Sequence, residues 1–150
     1  MIYLGADHGG FEIKEELKKW LSEWGFQFKD LGNTVYDKDD DYPDFAAKVA
    51  EKVSRGNGDI GILLCRSGHG IDMVANKFPN VRSAICFSPA HAKQSREHEN
   101  ANILCLTNDY VPHEVVKETA RAFLGTKFSF EERHLRRIGK IKEIEKKNFK

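Results

Sequence analysis

Residues 60–72, with the sequence IGILLCRSGHGID, constrain the fold more strongly than any other segment of the chain. The segment begins with a short apolar run without polar alternation, which predicts a strand covered on both faces in a parallel sheet. Gly68 and Gly70 follow, and glycine permits positive φ and a close approach of the backbone to a ligand. A helix predicted at residues 71–77 would direct its free N–H groups toward this turn. Cys65 would then lie at the carboxyl end of the strand, where open α/β sheets bind their ligands.

Strands alternate with helices along the whole chain. The predicted strands cover residues 2–6, 26–31, 60–64, 81–87 and 103–106, and helices follow them, starting near residues 11, 43, 71, 88 and 112. This alternation predicts an α/β fold in one domain, residues 1–150: a doubly wound three-layer sandwich with a five-stranded parallel sheet of order 2-1-3-4-5. An extra C-terminal helix within residues 130–150 has no strand after it. We expect its apolar face to dock on another subunit or on the domain's own flank.

The composition is that of a soluble globular protein, with 40% hydrophobic and 31% charged residues. The formal net charge of +1 provides no field that would attract nucleic acid or a membrane surface, so neither partner is expected. No secretory signal and no apolar run of membrane length is found. The three cysteines, Cys65, Cys86 and Cys105, match no zinc spacing. We therefore expect no cysteine-based zinc site and a reducing, cytoplasmic location.

Three groups of chemically active side chains are expected to meet at the carboxyl ends of the strands. The groups are Asp7 with His8, then Cys65 with Arg66 and Ser67, and finally Arg96, His98, Asn100 and Asn102. A carboxylate, a thiol, a hydroxyl and an imidazole in one place are suited to proton transfer. Each residue also has a structural explanation. Cys65 can be a core thiol, Asp7 can cap a turn, and His98 can stabilise a helix end.

Several other classes of α/β protein do not fit these residues. A low-molecular-weight tyrosine phosphatase needs an arginine six positions after its cysteine, and that position is Ile71. A response regulator needs an aspartate at the end of the third strand, where this chain has Cys65. The chain contains no GxxxxGK[ST] motif and no GxGxxG motif with an acidic partner, so nucleotide binding is not indicated.

An ordered set of motifs resembles the ribose-5-phosphate isomerase B family, which also includes galactose-6-phosphate isomerase subunits. The set consists of GADHGGF at residues 5–11, DYP at 41–43, CRSGHG at 65–70, ANK at 75–77, Arg82, SREH at 95–98, Asn102 and Arg133-His134. The resemblance runs from residue 2 to the last helix. It implies the doubly wound fold, a dimer or tetramer, and catalysis without a metal or an organic cofactor.

The resemblance also implies roles for individual residues. Cys65 corresponds to the base that moves a proton between C1 and C2, Ser67 to the hydroxyl that carries a second proton, and His98 to the ring-opening histidine. The implied substrate contacts are Asp7 and Tyr42 on the sugar hydroxyls, His8, Arg133, His134 and Arg137 on the phosphate, and the backbone of Ser67, Gly68, His69, Gly70 and Ile71 around the enediolate. Arg66, Asn100 and Asn102 are further binding candidates. In the family, the phosphate contacts from the C-terminal tail come from a partner subunit.

This chain departs from the family pattern at several of these positions. Arg66 replaces a glycine, His69 a small aliphatic residue, and Glu99 an asparagine, while Asp109 stands where the family has a phosphate-binding arginine. Either Arg66 supplies the missing cation or the substrate differs. The resemblance implies an isomerase that interconverts D-ribose 5-phosphate and D-ribulose 5-phosphate through a cis-enediolate. The alternatives are an isomerase of a hexose or unphosphorylated sugar, or a non-catalytic sugar-phosphate binding module.

Overall fold

A computed structural model describes residues 1–149 and confirms the predicted α/β sandwich. The strands are Ile2–Ala6 (β1), Phe28–Asp30 (β2), Ile60–Cys65 (β3), Ser83–Ile85 (β4) and Ile103–Thr107 (β5). The helices are Phe11–Glu23 (α1), Tyr42–Ser54 (α2), His69–Ala75 (α3), Pro89–Glu99 (α4), His113–Gly125 (α5) and Glu132–Asn148 (α6). All strand pairs are parallel. Lys150, the last residue of the predicted C-terminal helix segment, lies outside the described residues.

The order of the sheet is β2-β1-β3-β5-β4, so the predicted order of the last two strands is wrong. All five residues of β5 are buried, as expected of a central strand covered on both faces. By contrast, β4 has only three residues, all partly exposed, which suits an edge position.

The strand order also decides the face of the sheet on which each helix packs. The connection from β3 to β4 passes over β5, and the chain then returns from β4 to β5, so two right-handed crossovers place α3 and α4 on opposite faces. The buried apolar clusters confirm this division. Ile13 of α1, Ala92 of α4 and Phe123 of α5 share one cluster. Val49 of α2 and Ile71 of α3 belong to the other.

Two predicted helix starts are confirmed in atomic detail. Pro43 lies in the first turn of α2, where its missing N–H costs no intrahelical hydrogen bond. The Ser88 hydroxyl caps α4 by accepting a hydrogen bond from the His91 N–H at 3.1 Å. The proline and the capping serine therefore mark where α2 and α4 begin.

The extra helix α6 packs on the flank of its own chain through part of its apolar face. Ile138 is 6% exposed, whereas Leu135, Ile141 and Ile144 are 48%, 42% and 61% exposed. The Asn80 N–H donates to the Glu145 carboxylate at 3.0 Å and holds the far end of the helix. Three of these four apolar side chains therefore stay accessible. None of the helices within residues 1–149 combines the length and apolar character needed to cross a bilayer.

Candidate active site

The glycine turn after β3 is built around the Cys65 thiol. Cys65 is 6% exposed, and its Sγ accepts a hydrogen bond from the Gly68 N–H at 3.0 Å. Gly68 precedes α3 with a φ of +83°, a conformation that favours glycine. The Ser67 Oγ accepts from the His69 N–H at 3.2 Å. The turn therefore holds the thiol and the hydroxyl of the predicted proton-transfer pair next to several backbone N–H groups.

A thiol near a helix N-terminus often has a lowered pKa, but burial raises the pKa of the Cys65 thiol above its usual value. The N–H groups of Gly68, Ser67 and Ile71 oppose the effect of burial, whereas the negative charge of Asp7 adds to it. These hydrogen bonds do not outweigh the effect of burial. The resting thiol is therefore protonated at neutral pH.

A glycine at position 70 is explained by lack of space for a side chain, and not by the positive φ that glycine permits. It lies within α3, and among the two glycines of the turn only Gly68 has a positive φ. A Cβ atom at Gly70 would clash with the ring carbons and the hydroxyl of Tyr42. Tyr42 begins α2 and is 39% exposed. The glycine thus lets a predicted sugar-binding side chain lie directly over the turn.

Asp7 and His8 follow β1, which is adjacent to β3 in the sheet. Asp7 is 7% exposed and accepts from the Gly9 N–H at 2.9 Å, and burial raises the pKa of its carboxyl. The Asp40 carboxylate accepts from the His8 N–H at 2.8 Å and lies 2.7 Å from His8 Nδ1. This hydrogen bond raises the pKa of His8. The pKa of Asp40 is lowered, because hydrogen bonds from His8 outweigh its burial.

Asp40 is a residue that the sequence analysis missed. It belongs to the acidic run at residues 37–41, in which nothing local distinguishes one carboxylate from another. Asp7, His8 and Asp40 present ligand atoms within 4.8 Å of one another, so they are the residues of this site that could hold a metal ion. Their hydrogen bonds to one another and to the backbone already account for the arrangement.

A cavity of about 530 Å³ opens beside this group. It is lined by His8, Gly9, Phe11, Glu12, Tyr36, Arg66, Asn108 and Asp109. A Cβ atom at Gly9 would clash with the Arg66 side chain, so the glycine leaves room for the arginine stem. Arg66 and Asp109 are also joined through their backbones, since the Asp109 N–H donates to the Arg66 carbonyl at 3.1 Å. The cavity therefore carries two potential cations, His8 and Arg66, together with two carboxylates.

The third predicted group does not join the other two within one chain. Helix α4 runs back along the sheet for 11 residues, or about 16 Å, and carries His98 to the opposite edge. Asn102 marks that edge, because its carbonyl accepts from the Gly61 N–H at the beginning of β3. Cys65 lies four residues further along β3, about 13 Å away. The prediction that all three groups meet at the carboxyl edge is therefore wrong for a single chain.

The amino edge holds the predicted residues of α4 and α6 together. The His98 and His134 rings stack with centroids 4.2 Å apart and planes inclined at 26°. His134 is 2% exposed, so its predicted role as a phosphate ligand does not fit this position. Arg133 and Arg137 are exposed on the same end of α6, and Arg133 Nε donates to the Glu131 carboxylate at 2.9 Å.

The predicted site is thus divided into two clusters. The carboxyl-edge cluster comprises Asp7, His8, Tyr42, Cys65, Arg66, Ser67, Gly68, His69 and Gly70. The amino-edge cluster comprises His98, Asn100, Asn102, Arg133, His134 and Arg137. The first provides the thiol, the N–H groups and the cavity, and the second provides an imidazole and exposed guanidinium groups.

Known proteins resemble this chain over nearly its whole length. The sequence profile of the family described as Ribose/Galactose Isomerase matches residues 2–141. Ribose-5-phosphate isomerase B of Mycobacterium tuberculosis is 38% identical over 97% of this chain and 90% of its own. The Escherichia coli protein of the same name is 38% identical over 97% of both chains.

Solved structures give the same result. Ribose-5-phosphate isomerase B from Mycoplasma genitalium, with bound ribulose-5-phosphate, superposes with a TM-score of 0.94 at 39% identity, covering 98% of this chain and 97% of the other. The Clostridium thermocellum enzyme superposes with a TM-score of 0.92 at 42% identity, covering 97% of both chains. Because its fold and nearly its whole sequence match, the chain belongs to the ribose/galactose isomerase family.

Proposed function

We propose that this protein is an aldose–ketose isomerase that interconverts D-ribose 5-phosphate and D-ribulose 5-phosphate. The observation that carries the proposal is the Cys65 thiol, buried at the end of β3 and bonded to the Gly68 N–H. This thiol lies in a chain that resembles ribose-5-phosphate isomerase B structures over nearly its full length, one of them with bound ribulose-5-phosphate. We place the enzyme in the cytoplasm, where its three free cysteines would stay reduced.

In the proposed reaction, the Cys65 thiolate removes the proton from C2 of the open-chain aldose. The electron pair of the broken C–H bond forms the C1–C2 double bond of a cis-enediolate, and the carbonyl oxygen takes up the negative charge. Return of the proton to C1 gives the ketose. The Ser67 hydroxyl carries the proton between the two substrate oxygens, and the N–H groups of residues 67–71 stabilise the enediolate, an effect worth about 3 kcal/mol per donor.

Neither a metal nor an organic cofactor is needed in this scheme, because the thiol, the hydroxyl and the backbone N–H groups supply every proton and charge. Because Asp7, His8 and Asp40 could hold a metal ion, removal of metals tests whether the reaction needs one. Exhaustive dialysis against EDTA should leave kcat unchanged. Loss of activity that Mg²⁺ or Zn²⁺ restores would show that the reaction requires a metal.

We further propose that the active unit is a homodimer or tetramer with shared sites. Within one chain the amino-edge cluster cannot reach Cys65, so a partner must bring its own cluster to the carboxyl edge. His98 would then open the sugar ring, and Arg133 and Arg137 would bind the phosphate. The exposed Leu135, Ile141 and Ile144 on α6 would be buried in the contact, at about 25 cal/mol per Å².

The direct test is an isomerase assay over pentose 5-phosphates, hexose 6-phosphates and the corresponding free sugars. We expect the largest kcat/KM for ribose 5-phosphate. Activity restricted to a hexose or to free sugars would identify a different isomerase, and binding of a sugar phosphate without turnover would identify a binding module. Asp109 in the cavity wall is the observation that favours a different sugar, because a carboxylate repels phosphate.

Substitution of Arg66 can distinguish a phosphorylated substrate from a free sugar. If its guanidinium binds the phosphate, Arg66→Ala should raise KM for ribose 5-phosphate about tenfold, which corresponds to one charge-assisted hydrogen bond. KM for D-ribose should change little. Arg136→Ala is the matched control, because Arg136 is an exposed arginine that pairs with Glu132 at 2.9 Å. Equal effects of Arg66→Ala on both sugars would argue against a phosphate contact.

A further inference from the structure

We propose that His134 is a positioning residue: its buried ring fixes the orientation of the His98 imidazole that opens the sugar ring. The inference rests on the proposed function, because it needs His98 to act on a cyclic sugar phosphate. It assigns His134 a role on its own subunit in place of the phosphate contact implied by the sequence resemblance. Four features of the amino edge support this role.

The first feature is the stack itself. The ring centroids of His98 and His134 are 4.2 Å apart and the planes differ by 26°, which is the geometry of an aromatic stack. His134 is 2% exposed, whereas His98 is partly exposed. One face of the His98 ring is therefore covered by a buried neighbour, and the remainder of the ring is accessible to a substrate bound to a partner subunit.

The second feature is the support of His134. Its Nδ1 lies 2.7 Å from the Ser129 hydroxyl, and the Ser129 N–H donates to the Glu97 carbonyl at 3.2 Å. Glu97 directly precedes His98 on α4. The segment before α6 is thus bonded to the same helical turn that carries His98, so the two rings belong to one local framework. Rotation of His134 would break the Ser129 bond.

The third feature is the charge around the stack. The titratable and charged groups that face His134 are His98, Glu131, Arg133 and Arg137. Burial lowers the pKa of His134, and the positive charges of His98 and Arg133 act in the same direction, against the Glu131 carboxylate. His134 is therefore a neutral ring at neutral pH, and it does not repel a proton carried by His98.

The fourth feature is the imidazole orientation that ring opening requires. Ring opening requires a proton to be taken from one sugar oxygen and another to be given to the ring oxygen, so the imidazole must point along a defined direction. Displacement of a reacting group by about 1 Å can reduce a rate about 100-fold. A partly exposed histidine near a helix end has several rotamers, and the buried neighbour selects one of them.

The experiment compares His134→Ala with His134→Phe, because phenylalanine retains the stacking surface without a titrating nitrogen. Each variant is assayed with ribose 5-phosphate, which is cyclic, and with erythrose 4-phosphate, whose blocked O4 prevents ring closure. We expect His134→Ala to lower kcat/KM at least tenfold for the cyclic substrate and less than threefold for the open one. His134→Phe should remain within threefold on both.

Two further variants test the framework and the specificity of the effect. Ser129→Ala keeps the imidazole but loses its support, and it should give a smaller loss on ribose 5-phosphate alone. His91→Ala is the matched control, since His91 is also a stacked histidine on α4, 6.2 Å from the Phe87 ring, at the helix end remote from His98. It should have no effect on either substrate.

The outcomes that overturn the inference are distinct from those that overturn the proposed function. Equal losses on both substrates, wild-type rates in His134→Ala, or a folded His134→Phe that fails like His134→Ala would each contradict positioning. NMR gives a readout that does not depend on activity. The His98 ring protons should lose their ring-current shift in His134→Ala and retain it in His134→Phe; unchanged His98 resonances in His134→Ala would also contradict positioning. A wild-type protein that isomerises neither sugar would refute the function alone.

Discussion

At the scale of single residues, burial determines how Cys65 can act. The thiol is surrounded by the core cluster on the α2–α3 face and is also near Asp7, and both influences favour the neutral form. The N–H groups of the glycine turn favour the thiolate but do not prevail in the isolated chain. Cys65 therefore has the location of a catalytic base without the lowered pKa that is often associated with one.

If Cys65 is the base, Cys65→Ala should lower kcat for ribose 5-phosphate by at least about 1000-fold, because an essential acid–base group is removed. The fold should persist, since only a sulfur atom is lost. Cys86→Ala is the matched control, because Cys86 is another buried thiol, packed in the cluster on the opposite face. Near-normal turnover by Cys65→Ala would mean that another group takes the proton.

The raised pKa of Cys65 predicts the direction of the pH dependence. A base must be deprotonated to act, so kcat/KM should increase with pH as the thiol ionises. Because the pKa is raised, this increase should still be in progress above the ordinary thiol pKa of about 8.5. The measurement is a pH profile of kcat/KM from pH 6 to 10. A plateau already reached at pH 7 would show that the free enzyme holds a thiolate.

At the scale of secondary-structure elements, α2 and α3 meet where Tyr42 lies over Gly70. The contact joins the first residue of α2 to the helix that follows the glycine turn. Both residues are predicted site candidates, but the glycine was predicted for its backbone conformation and for close approach to a ligand. The reason for the glycine is spatial, because the two residues are 28 positions apart in the chain and meet only after the helices have packed.

Gly70→Ala should destabilise the fold by about 1–3 kcal/mol, the usual cost of overpacking, because its Cβ atom meets the Tyr42 ring. Combining it with Tyr42→Ala should remove most of this penalty, and urea denaturation of the four proteins measures the coupling. Gly139→Ala is the matched control, since its Cβ atom would meet no other atom within 4 Å. It should stabilise α6 by up to about 1 kcal/mol. Additive effects of the pair would contradict the contact.

At the scale of the whole molecule, the chain holds the two clusters at opposite edges of one sheet, and we propose that each is half of a shared site. The carboxyl-edge cluster holds Cys65, and the amino-edge cluster holds His98. A symmetric dimer would bring the clusters together twice, once at each of its two sites. This arrangement accounts for the exposed apolar residues and the basic end of α6 in the same contact.

Subunit mixing tests this arrangement. Cys65→Ala and His98→Asn should each be nearly inactive on ribose 5-phosphate, but exchange of their subunits should restore up to about a quarter of the wild-type sites. Half of the random dimers are mixed, and one of their two sites then contains both intact residues. The control is a mixture of Cys65→Ala with Cys65→Ser, which should recover nothing. If proven heterodimers of the first pair are inactive, each site is built within one chain.

The sequence by itself determined the helices, the strands, the parallel sheet and the location of Cys65. These features follow from local causes: the apolar run of β3, the glycine at position 68, the cap at Ser88 and the proline in the first turn of α2. Each of them acts within a few residues of chain, and for that reason they can be predicted without coordinates.

Only the tertiary structure decided the order of β4 and β5, the stacking of His98 on His134 and the direction of the Cys65 pKa shift. Strand order depends on which strand buries more apolar surface between neighbours that are distant in sequence. The histidine stack depends on where α6 packs against α4, which is 33 or more residues earlier in the chain. The pKa depends on the packing of every element around the thiol, because desolvation is a property of the assembled core.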